Sequence, residues 1–116
     1  VATIATILFP DEPAAFDIDA QPETITSDGN EDVFFNRAQM GLWVKNEQGV
    51  AIDVTIVAQS ECNNEVLHTV EVSVLDGFEG FIAKELQSSR FNDASQRVHL
   101  NYSAAGLRVA AVRLGD

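Results

Sequence analysis

Apolar and polar residues alternate with a period of two along much of this chain, and no other feature constrains its fold as strongly. Ile52, Val54, Ile56 and Ala58 alternate with Asp53, Thr55, Val57 and Gln59. Val70, Val72 and Val74 alternate with Thr69, Glu71 and Ser73, and Val98, Leu100 and Tyr102 with His99, Asn101 and Ser103. Residues 106–114 alternate less cleanly through Leu107, Val109 and Ala111. Successive side chains of a strand point to opposite faces, so each stretch reads as a half-buried strand. Residues 40–45 read as another, with Leu42 and Val44 inward and Trp43 therefore outward. No segment sustains a helical period; only residues 90–95 could close one helical turn, capped by Asn92 or Asp93. Strands recurring about every ten residues with short turns predict an all-β, jelly-roll-like antiparallel sandwich or barrel of about seven to nine strands.

Turn chemistry supplies the connections. Asn46-Glu-Gln-Gly49 fits a hairpin between the Trp43 and Ile52 strands. Asp76-Gly77 turns the chain into a strand over residues 78–86. Ser103-Ala-Ala-Gly106 joins the last two strands, and residues 60–65 form a polar loop.

The front of the chain differs. Residues 1–9 are apolar and uncharged but too short to span a bilayer, and they lack the basic start of a signal peptide. They read as a strand. With no charge to blunt its edge, this strand belongs inside a sheet, of its own subunit or of a partner. Pro10, Pro13 and Pro22 then break residues 10–24 into an extended acidic loop in which Phe16 and Ile18 offer apolar anchors. The expected organisation is one domain. Residues 1–32 supply an N-terminal strand and extended acidic N-terminal arm, and residues 33–116 the core. On this reading, removing residues 1–20 leaves the β domain folded.

Eighteen acidic and seven basic residues give a formal charge of −11. Eight of the acids and no Lys or Arg lie in residues 1–36, whereas residues 84–116 hold five bases and three acids. Such a surface repels phosphate backbones, so nucleic acid is an unsuitable partner. The basic tail suits an acidic partner, including the front of a neighbouring copy.

Chemical motifs are sparse. Asp28, Asn30 and Asp32 are spaced like the opening of a calcium loop. Val33 stands where the turn needs Gly, and Gln39 where a bidentate Glu is needed, so an acidic turn is the reading. His68 and His99 have no ligands at zinc spacing; His99 faces outward. The lone Cys62 permits no intrachain disulfide. No nucleophile elbow or phosphate loop is present. Asn101-Tyr-Ser103 matches a glycosylation sequon by chance, within a strand. No enzyme, cofactor, metal site or membrane partner is expected. An outward Trp43 indicates an interface or a second packed layer. It also leaves open a carbohydrate-binding β-sandwich of an adhesin or tail.

Several runs together carry a resemblance: Leu42-Trp-Val-Lys-Asn46, Ile52-Asp-Val-Thr-Ile56, Val70-Glu-Val-Ser-Val74, Ser89-Arg-Phe-Asn-Asp-Ala94, Val98-His-Leu-Asn-Tyr-Ser103 and Val109-Ala-Ala-Val-Arg113. Over residues 40–114 the chain resembles small β-rich head proteins of tailed bacteriophages and prophages, among them capsid decoration (cement) proteins. The resemblance implies a structural protein on the outside of a virion, made in the bacterial host cytoplasm. It would bind the major capsid protein, commonly as a homotrimer; a neck or tail component is the alternative within the same particle. The expected interface and structural residues are Ile4, Ile7, Phe9, Trp43, Arg90, Phe91, Asn92, Arg108 and Arg113. Within that set Phe91 plugs the core, and Arg90 and Asn92 bond neighbouring loops or subunits.

Overall fold

The computed structural model describes residues 2–37, 39–59, 69–84, 86 and 88–114. Two five-stranded mixed sheets pack face to face, and no helix exceeds one turn among these residues. Sheet A has the order β1 (Ala2–Ile4), β4 (Asp32–Phe35), β9 (Arg97–Tyr102), β6 (Ile52–Ile56), β7 (Val70–Val74). Sheet B runs β2 (Thr6–Leu8), β10 (Arg108–Arg113), β5 (Met40–Lys45), β8 (Glu79–Lys84), and a two-residue strand β3 (Ile25–Thr26) pairs with the start of β10. A single turn of helix, α1 (Ser88–Phe91), leads from β8 towards β9.

Alternation does what the sequence requires of it. In β6 the burial alternates strictly, with Ile52, Val54 and Ile56 in the core and Asp53 and Thr55 on the outer face. Met40, Leu42 and Val44 meet them from sheet B, with Val109 and Ala111 beside them. Phe34, Leu100, Leu107 and Ile4 complete the filling.

Three expectations are corrected. The turns at residues 46–49, 76–77 and 103–106 are not hairpins. Each carries the chain from one sheet to the other, because β5 and β6, β7 and β8, and β9 and β10 lie in different sheets. Turn chemistry specifies a reversal of direction, but not whether the next strand pairs beside the last or packs across from it. The sheets are also mixed rather than antiparallel: β1 pairs parallel with β4, and β2 parallel with β10. The helical turn ends at Phe91, so Asn92 and Asp93 follow it instead of capping its start; Asp93 Oδ1 accepts from the Ser95 and Arg97 amides.

Residues 2–31 are built into the sandwich. The first strand crosses at Ala5 from sheet A to sheet B, and Ile4 is buried in the main core while Ile7 is buried on the outer face of sheet B. The parity argument for Trp43 holds, yet Trp43 is 4% exposed. It lies under Ile18 with Ile7, Ala110 and Val112, in a second apolar layer made by the chain's own front.

Candidate interaction surface

The segment after β2 is a strap over the outer face of sheet B. It starts where the Phe9 amide donates to the Arg113 carbonyl. Phe9 and Phe16 pack edge to face, with centroids 5.3 Å apart. Two successive turns, with Ala20 N on Asp17 O and Thr24 N on Gln21 O, then bring Ile18 down onto Trp43. Asp19 latches the strap. Its carboxylate accepts from Arg108 Nε at 2.8 Å and Lys45 Nζ at 3.1 Å, and Arg108 Nη2 also reaches the Asp19 carbonyl. Hydrogen bonding to the Arg108 guanidinium, helped by Lys45, holds the Asp19 carboxyl below the usual carboxylate range. Lys45 is raised by its bonds to Glu47 and Asp19. Arg108, Trp43 and Ile7 hold the strap and Ile4 fills the main core, so all four make contacts within the subunit. Trp43 is covered, so its ring offers no open face for a sugar to stack on.

The corner at the other end of the sheets is tied by amides. Asn36 Nδ2 donates to Asn92 Oδ1 at 2.7 Å and to the Leu86 carbonyl at 3.1 Å. Phe91 is buried in the main core, with the Arg90 guanidinium 4.8 Å above its ring. Arg97 and Arg37 sit over the Phe35 ring in the same way. Arg113 is half-buried at the end of β10, opposite Met40. Phe91→Ala is expected to destabilise the fold by about 3 kcal/mol, the low end for a buried phenylalanine because the one-turn helix can settle inwards. Urea unfolding checks it; a loss below about 1 kcal/mol would remove Phe91 as the plug.

His99 is clamped on the outer face of sheet A. Nδ1 lies 3.0 Å from Glu31 Oε1, and Nε2 lies 2.7 Å from Asp93 Oδ2. A neutral imidazole has one N–H, so two carboxylate contacts require the imidazolium. Asp93, then Glu31, raise the His99 pKa against its partial desolvation, and the hydrogen bond from His99 lowers that of Asp93. A raised folded pKa gives stability that is complete below the unfolded histidine value, about 6.5, and is lost as pH climbs through the folded value. A lowered Asp93 gives stability present above its unfolded value, about 3.9, and lost as pH falls through the folded one. The clamp is therefore strongest between about pH 4 and pH 6.5. Thermal melting from pH 6 to pH 9 should fall for the native chain and stay level for His99→Gln. Parallel curves for the two would show that the clamp contributes nothing.

Two further polar residues, Asn46 and Asp76, which the sequence marks only as turn residues, shape the surface. Asn46 is fully buried; its side chain donates to the Val50 and Val74 carbonyls and accepts from the Gln48 amide. Its backbone bonds Phe78 and Gly77. Asp76 accepts from the Gly49 amide. Two turns are thus locked into one rigid tip that presents Val50, Leu75 and Phe78 to solvent. Only residue type at a turn hinted at Asn46, and nothing in the acidic loop over residues 10–24 set Asp19 apart from its neighbours.

Phe81 on β8 extends this apolar flank, and Leu8 and Phe9 are exposed on the opposite one. Among the described residues, nothing pairs with the outer sides of β1 and β7, the two edges of sheet A. No group of three or more His, Cys, Asp or Glu side chains that could hold a metal ion occurs among the described residues, and no helix there is long and apolar enough to cross a membrane. Asp28 Oδ1 closes a turn on the Asn30 amide, and Asp32 is buried against the Tyr102 hydroxyl at 2.9 Å. Cys62 and His68 lie outside the described residues. What the surface offers a partner is therefore apolar flanks, open strand edges and negative charge. Comparison with protein-family models, with curated proteins and with solved structures finds no match.

Proposed function

We propose that this chain is a non-enzymatic structural protein of a tailed-phage particle, which binds the major capsid protein on the outside of the shell and stabilises it as an oligomer, in the simplest form a trimer. The reading starts from the resemblance over residues 40–114. The observation that carries it is the rigid tip: three large apolar side chains, with Leu75 at 65% exposure, are held in solvent by a fully buried asparagine. Exposing apolar surface on a locked support is unfavourable unless a partner covers it. A net charge of −11 suits the outer surface, away from packaged DNA. Many copies each making modest contacts give a large collective stabilisation.

The test is co-sedimentation of the purified chain with shells, of the phage whose genome encodes it, that lack the chain. Saturable binding that weakens strongly in Leu75→Ser/Phe78→Ser, with the shells melting at higher temperature when loaded, supports the reading. Absence of the chain from pelleted shells at saturating concentration overturns it. Density for the chain at the neck or tail of the intact particle would move it there.

A further inference from the structure

We infer that copies of this chain join side by side through sheet A, the edge of β7 in one copy pairing antiparallel with the edge of β1 in the next, both edges being unpaired among the described residues. This deepens the oligomer part of the proposed function and rests on it only for its biological setting; the joint itself is a property of the free chain.

Strand direction selects these edges. Within sheet A, β1 runs parallel to β4, and β9, β6 and β7 each reverse in turn, so β1 and β7 run in opposite directions. Around an axis along the strands every copy keeps its orientation. The joint is then antiparallel, the more stable ladder. In sheet B one edge is divided between β2, which runs parallel to β8, and the two-residue β3, which runs antiparallel to it, so no single ladder can form along the whole edge.

Side chains agree. Thr3 on β1, and Glu71 and Ser73 on β7, are exposed and stand on the outer face of sheet A, so a shared sheet keeps polar groups outward. Edge strands ordinarily carry Lys, Pro or a bulge against such pairing. Here β7 is regular over five residues, and residues 2–8 contain no charge.

Charge decides between partners. Pairing β7 with another β7 would set Glu71 near its own copy, with Asp76 two residues beyond the strand end on both sides. Pairing with β1 sets Glu71 against an uncharged edge, so like charges stay apart. The half-buried Val70 and Val72 and the exposed Leu75 on one flank, and Ala2 on the other, lose water in the joint. Such a contact uses different patches on each copy, so it closes into a ring when the rotation permits.

The test uses cysteine pairs in a Cys62→Ser background, without any shell. Thr3→Cys and Ser73→Cys variants are oxidised singly, mixed, and combined in one chain. A disulfide-linked dimer in the mixture, none from either variant alone, and higher species from the double variant are expected. Sedimentation provides the second readout. Thr3→Asp should weaken self-association at least tenfold, and adding Glu71→Lys should restore it, while melting of the subunit stays unchanged. A monomer at millimolar concentration, dimers from Ser73→Cys or Thr3→Cys alone, or indifference to Thr3→Asp overturns the inference. Shell binding by a chain that fails these tests would leave the proposed function standing without this joint.

Discussion

Deletion of residues 1–20 is expected to leave a chain that does not fold, which reverses the expectation drawn from the sequence alone. The segment removes Ile4 from the main core, and Ile7 and Ile18 from the layer over sheet B. At about 1.5–3 kcal/mol for each buried side chain, the loss is about 5–9 kcal/mol. A domain of this size is stable by only about 5–15 kcal/mol. Other losses add to this: β4 and β10 lose their parallel neighbours, and Arg108 and Lys45 lose the Asp19 carboxylate. Circular dichroism and urea titration of the truncated chain check it. A cooperative transition with an unchanged midpoint would show that the front of the chain is an appendage after all.

Trp43→Ala should be the most damaging single substitution, at about 4 kcal/mol. Trp43 fills the space between strap and sheet, and the strap is too short and too proline-rich to collapse into the void. Chemical denaturation gives the energy. Because it is the chain's one tryptophan, its fluorescence reports the layer directly. Emission should be blue-shifted and resist acrylamide quenching in the native chain, and Asp19→Ala should make quenching easier by releasing the latch. Quenching as free as that of unfolded protein would mean that the strap does not cover Trp43.

The contrast over Trp43 shows how far the pattern could be read. Its outward parity followed from Leu42 and Val44, and it holds. What covers it did not follow, because Ile18 and Asp19 are joined to it only by contacts between residues distant in sequence. For the same reason β4 escaped notice: Asp32-Val-Phe-Phe35 has buried residues at Asp32, Val33 and Phe34 in succession, so no alternation marks it. Its buried Asp32 accepts a hydrogen bond from Tyr102, 70 residues away. His99 was placed on the outer face correctly, but the two carboxylates that clamp it come from loops on either side of it and carry no local signal.

The amino-acid order by itself determined the all-β class, the positions of β5, β6, β7, β9 and β10, and which side chains in them face inward, because a period of two is a local consequence of strand geometry. Tertiary structure alone decided which sheet each strand joins, that the first strand divides between both sheets, and that the acidic front closes over Trp43. Those outcomes depend on burying apolar surface between segments far apart along the chain. A turn sequence encodes a change of direction and leaves the choice of neighbour to packing.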